Sequence, residues 1–141
     1  MKSLSKLTLG LSVSLLLTGC SGLQTSANIK EKMEADNYLV TILTAEEYET
    51  STYGELIPST LGLEDYLNAS KPGEEGQPGN YLHVWFFSSV DDASRFNDTF
   101  DSFMYNMESS DGAKFTSGLK YNAVYYGTKD AIKVSTLGKL F

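Results

Sequence analysis

Apolar residues in this chain recur with two periods, and the two alternate along its length. Tyr81-Leu-His-Val-Trp-Phe-Phe87 is β-branched and aromatic and predicts a strand. Ser89 follows as a helix cap, with Asp91 and Asp92 in the first turn, where the helix dipole favours acids. Beyond it Ala93, Phe96, Phe100, Phe103, Met104 and Met107 fall on one helical face, and Arg95, Asn97, Asp98, Asp101 and Ser102 fall elsewhere. That helix is expected to end before Ser109-Ser-Asp-Gly112. Upstream, Ile29 and Met33 share a face of a short helix over Asn28–Asp36, with Asn37 as a left-handed stop. Tyr38-Leu-Val-Thr-Ile-Leu43 is apolar on both faces and predicts a central strand. Thr44-Ala-Glu-Glu47 has the capping-box spacing, so a helix should run from there to about Ser51.

The remaining stretches complete an α+β pattern. Tyr53–Thr60, with Gly54 and Pro58, predicts a loop. Leu63–Ala69 fits either period, but a hairpin across the polar segment Lys71–Asn80 into Tyr81–Phe87 favours a strand. Lys114–Lys120 is a weaker strand, Asn122–Tyr126 a firm one ended by Gly127, and Thr128–Ile132 opens a last short helix. From Tyr38 to Tyr126 the order is β-α-β-β-α-β with one extra strand. The expectation is a single small α+β domain, mainly antiparallel, with helices on one sheet face and a ferredoxin-like order.

The N-terminal end follows other rules. Met1–Lys6 is a short positive start, and Leu7–Leu17 is an apolar run too short to cross a bilayer but right for a signal-peptide core. Leu17-Thr18-Gly19-Cys20 then places small residues before a lone cysteine. This stretch resembles the lipobox of bacterial lipoproteins. The resemblance implies lipid transfer to the Cys20 sulfur, cleavage before Cys20, and acylation of the new amino group in many bacteria. Two acyl chains anchor stably, at about 0.8 kcal/mol per buried methylene. Residues 1–19 are then the signal peptide, 20–27 the lipidated cysteine and a flexible tether, and 28–141 the domain. Because Ser21 is not an aspartate, the resemblance implies the outer membrane of a Gram-negative cell, or the outer face of the cell membrane of a Gram-positive one. The succession of lipobox, short helix, strand, YLHVWFF strand, acidic-start helix and late NAVYYGT strand is also similar to small uncharacterised lipoproteins of Gram-positive bacteria. That likeness carries no known activity and transfers no functional residue.

Charge narrows the partners. The chain has 11 basic and 18 acidic residues. Loss of Lys2 and Lys6 with the signal peptide leaves nine against eighteen, a net of −9. Nucleic-acid binding draws on clustered basic side chains, and none is present here. The same charge opposes electrostatic adhesion to anionic lipid heads, so membrane association falls to the lipid on Cys20.

Catalytic signals are sparse. His83 is the single histidine, and with an acid beside it would be a general base; a structural histidine is the plainer reading. No G-x-S-x-G elbow, phosphate loop or calcium loop is present, and Cys20 is committed to lipid, so neither a cofactor nor a metal site is expected. The acid pairs Glu46/Glu47 and Asp91/Asp92 are explained by helix starts, and Asp98/Asp101 by a polar helix face. Tyr81, His83, Trp85 and Phe87 alternate onto one strand face, which is the candidate binding face unless another segment packs over it. The expected role is a non-enzymatic module that binds a protein or envelope polymer. A cell-envelope hydrolase using His83 or an acid pair, and a structural or homodimeric lipoprotein, are the alternatives.

Overall fold

The computed structural model describes residues 22–58, 61–111 and 116–138, and for 105–111 the backbone alone. The expected signal peptide, Cys20, the side chain of Met107 and the segment around Gly112 lie outside the described residues.

The first helix, α1 (Ser26–Ala35), begins two residues earlier than the pattern predicts, with the Thr25 side chain accepting from the Asn28 amide. Its end follows the expectation. Asn37 adopts φ 66°, and the amides of Asn37 and Tyr38 close back on the carbonyls of Glu34 and Met33. These are the two bonds of a Schellman stop. Strand β1 (Leu39–Thr44) leads through the Thr44–Glu47 capping box into α2 (Ala45–Glu49). A second short helix, α3 (Thr52–Leu56), then occupies part of the expected loop, because Ser51 caps it through the Gly54 amide. Strands β2 (Leu63–Lys71) and β3 (Asn80–Phe87) form the expected hairpin. Helix α4 (Val90–Asp111) starts on the Ser89 hydroxyl, which accepts from the Asp92 amide. Its frame runs a few residues beyond the predicted end. The chain continues through β4 (Thr116–Lys120), β5 (Ala123–Gly127) and α5 (Lys129–Ser135).

The five described strands form one antiparallel sheet in the order β1-β2-β3-β5-β4. Along the chain the elements keep the β-α-β-β-α-β order with β4 added. All neighbouring pairs of described strands are antiparallel, as the mainly antiparallel expectation requires. β1 is an edge strand, not the expected central one.

Helices cover both sheet faces, which corrects the expectation of a single covered face. On one side Leu82, Val84 and Phe86 of β3 meet Ile29 and Met33 of α1 and Ala131 and Ile132 of α5. On the other, Trp85 and Phe87 meet Tyr48 of α2 and Ala93, Phe96, Phe100 and Met104 of α4. The second layer explains β1 as well. Val40 and Ile42 pack toward α1 while Leu43 packs toward α2, so even an edge strand needs two apolar faces. No described helix is long and apolar enough to cross a membrane.

Candidate functional site

Strand register assembles the candidate site. Residues directly opposite one another on antiparallel strands share a face. Trp85 lies between Tyr66 and Val124, and one step along β3, His83 lies between Asn68 and Tyr126. The first row is buried. The second carries the row outward on both sides, to Thr41 of β1 and Ser117 of β4. A polar row therefore runs across the sheet beside an apolar one, between the helices that cover this face.

Tyr53 of α3 leans over this row. Its position is set from below by Tyr48, whose buried phenol donates to the carbonyls of Tyr53 and Ile57. The turn between α2 and α3 is so close that a side chain at Gly54 would come within 2.2 Å of the Tyr48 carbonyl oxygen, so only glycine fits there. The Tyr53 hydroxyl accepts from Asn68 Nδ2 at 2.7 Å. Its ring centroid lies 5.3 Å from that of Tyr66 and 5.6 Å from that of His83.

His83 is boxed by rings. It stacks on Tyr126 at 4.6 Å with 13° between planes, and Tyr66 and Tyr81 stand 5.9 and 5.8 Å away. The Tyr66 hydroxyl is hydrogen-bonded to His83 Nδ1. Burial pushes the His83 pKa down from 6.5 to about 4 and the Tyr66 phenol well above its ordinary range. Burial, with the Tyr81, Tyr53 and Tyr48 phenols adding to it, raises Tyr126 to about 12. At neutral pH the cluster is uncharged. Tyr66 is fully buried, and which of its hydroxyl and His83 Nδ1 donates is set by the imidazole tautomer. The site thus combines aromatic faces with neutral donors and acceptors.

The four residues of the predicted binding face separate into two groups. Trp85 is 1% exposed and Phe87 is fully buried under α4, so neither offers contact surface. Tyr81 and His83 remain partly accessible. The Trp85 indole nitrogen has no acceptor of normal geometry, although it lies close enough to Tyr48 to offset part of the burial that raises that phenol. Asn68, Tyr66, Tyr126 and Tyr53 join the site without having been singled out by the sequence. Glu46, Glu47, Asp98 and Asp101 are exposed on their helices, and Asp92 bonds to Ser89, so the acid pairs stand at caps and surfaces. Among the described residues no group of three or more histidines, cysteines or acids is placed to hold a metal ion.

A separate open hollow of about 500 Å³ lies at the end of the sheet that carries the Lys71–Asn80 loop, lined by Asp36, Tyr38, Lys71, Asn80, Asp130 and Lys133 among others. Lys71 closes part of it by donating to the Asp36 carbonyl at 2.9 Å and pairing with its carboxylate at 3.4 Å. Compared with known families, curated proteins and solved structures, the chain matches none.

Proposed function

We propose that this chain is a lipid-anchored extracytoplasmic lipoprotein whose domain is a non-enzymatic binding module for an envelope polymer. The anchor rests on Leu17-Thr18-Gly19-Cys20 behind an apolar run. The binding reading rests on one observation: five aromatic rings pack around His83, and burial pushes its pKa down to about 4, which keeps it neutral. A general base works best with a pKa near the working pH and a group that orients it. An imidazole with a pKa of about 4 is a weak base. Stacked rings beside amide and hydroxyl groups suit an uncharged, ring-built ligand such as a glycan, which offers apolar sugar faces and hydroxyls together.

The test is titration calorimetry of the protein with a neutral amino-sugar oligosaccharide, for wild type, Tyr53→Ala and Asn68→Ala. Binding in wild type that is lost in both variants, with thermal stability nearly kept, supports the module. Release of shorter oligosaccharides by wild type, abolished in His83→Ala, would instead make the protein a hydrolase.

A further inference from the structure

The two ends of the sheet differ in what they expose, and the chain enters the fold at one of them. The Gln24 amide donates to Asn122 Oδ1 at 2.6 Å, and Asn122 Nδ2 donates back to the Gln24 carbonyl at 3.0 Å. Asn122 is buried and also donates to the Phe87 carbonyl at 3.0 Å. Thr25 caps α1 in the next position. Residues 24–27 are therefore part of the domain, where a flexible tether was expected. Gly22 turns with φ 64° beside the Tyr121 ring, where a Cβ would stand in ordinary contact with Cε1 at 3.6 Å.

Cys20 stands two residues before Gly22. An extended residue spans at most about 3.6 Å, so the cysteine lies within roughly 7 Å of Gly22 and 14 Å of Gln24. The same end of the sheet carries the β4–β5 turn, the end of β3, the start of β2 and the start of α4, tied together by the Phe87 amide on the Asn122 carbonyl and the Ser88 amide on the Gly62 carbonyl. Around it stand three exposed apolar side chains: Leu61 at 83%, Tyr121 at 53% and Val90 at 46%. The other end, with the polar 72–79 loop and, among the described residues, a single exposed large apolar side chain of its own, Leu39 at 73%, lies the length of β3 away, roughly 25 Å at 3.4 Å per residue.

We infer that the end bearing Leu61, Val90 and Tyr121 rests on a phospholipid surface. This inference depends on lipid being attached at Cys20. A long linker would leave the domain without a preferred orientation, whereas three intervening residues ahead of a pinned Gln24 do not. A tyrosine with an apolar ring and a wet hydroxyl fits the headgroup level. Asp91 and Asp92 on the same end oppose anionic lipid, so the contact depends on the anchor and the apolar side chains, not on charge. The 72–79 loop then points away from the membrane, and the polar row through His83 lies side-on, open to a polymer running along the surface.

The experiment uses the full-length chain expressed in bacteria, purified from membranes and placed in phosphatidylcholine vesicles doped with a nickel-chelating lipid. Acylated Cys20 offers no thiol, so a spin label on Leu61→Cys, Tyr121→Cys or Gly76→Cys reports one place. Labels at 61 and 121 should be relaxed by headgroup nickel several-fold more than the label at 76. Equal relaxation at all three places, with acyl groups on Cys20 confirmed by mass spectrometry, overturns the orientation alone. Absence of acyl groups on Cys20 overturns the lipoprotein reading and the orientation with it.

Discussion

The two faces of β3 are built from alternate residues of one strand yet have opposite characters. Leu82, Val84 and Phe86 face α1 and α5 across a layer that also takes Leu67, Ala69 and Ala123, with Tyr125 as its aromatic from β5. Tyr81, His83, Trp85 and Phe87 face α2, α3 and α4 across a layer of rings. The first face is a closed, mainly aliphatic core. The second is closed at the Trp85 end and partly open at the His83 end, where Asn68 and four tyrosines surround a half-buried imidazole. Aliphatic residues would fill that space without desolvating a titratable group. The face that departs from the simplest core is the face that holds the candidate site.

Breaking the closed part of either face should have the largest effect. Trp85→Ala removes the centre of the ring layer, touching Tyr48, Tyr66, Phe96, Phe100 and Tyr126. A loss of about 3–5 kcal/mol is expected. Leu82→Ala on the opposite face should lose about 2–5 kcal/mol. Urea unfolding measures both. A Trp85→Ala protein as stable as wild type would mean that the ring layer is not core.

The acid dependence of stability separates the faces next, because of these two layers it is the ring layer that buries an imidazole. Folding lowers the His83 pKa from 6.5 to about 4, so between these values the unfolded chain binds more protons. The contribution of His83 is therefore complete above about pH 6.5, falls as pH drops, and levels off below about 4. The span amounts to at most about 3 kcal/mol. Asp65 works in the opposite sense. Burial raises its carboxyl pKa, against a hydrogen bond from Ser26, so its contribution is present at low pH and is lost as pH rises through the folded value. The readout is thus a difference: urea-derived stability against pH for wild type and His83→Gln, which keeps an acceptor for Tyr66 but does not titrate. The slope between pH 4 and 6.5 should be smaller in the variant. Identical slopes would place the imidazole in water.

At the edge of the ring layer the effects are intermediate. Asn122→Ala deletes the side-chain bonds from Asn122 to Gln24 and to the Phe87 carbonyl, and leaves partly buried backbone groups of Gln24 and the Phe87 carbonyl without those partners. A loss of about 1–3 kcal/mol is expected, with faster amide exchange at Gln24. Thermal unfolding and hydrogen exchange check it, and unchanged exchange at Gln24 would show that the chain entry is held by something else.

Much of this architecture is legible in local sequence, and the remainder is not for a physical reason. Ile29 and Met33, the Asn37 stop, the Thr44–Glu47 box and the Ser89 cap all depend on neighbours within one or two helical turns. Tyr81, His83, Trp85 and Phe87 also alternate visibly onto a single strand face. The division of that face into a buried and an open half is not local, because it depends on where α4 crosses. Nor does local pattern join Asn68 and Tyr126 to His83, since register is fixed by the hairpin and by the β3–β5 pairing. Apolarity on both faces of β1 reads as central when a single covered face is assumed. It fits an edge strand once both faces bear helices. Tyr53 is hidden for a different reason: Gly54 and Pro58 look like loop punctuation, yet Gly54 is required by close packing on the Tyr48 carbonyl, and Ser51 is a visible cap that signals the short helix.

The smallest expected change in stability comes from Tyr53, and it bears most on function. The residue is 38% exposed, and its ring contributes an edge of the layer, not its centre. Tyr53→Ala should lower stability by about 1 kcal/mol or less, as surface substitutions do. If the open half of the ring layer is a contact surface, the same substitution should remove most of the affinity for a ring-built ligand, since exposed tyrosines supply large contact area at small entropic cost. Tyr53→Phe keeps the ring and loses only the hydroxyl that accepts from Asn68, so it should retain most of the binding. A Tyr53→Ala protein that binds as wild type does would move the contact surface off the ring layer. The outcome depends on the contrast between the faces, for a residue that matters little to folding and much to binding is what a half-open face supplies and a closed one does not.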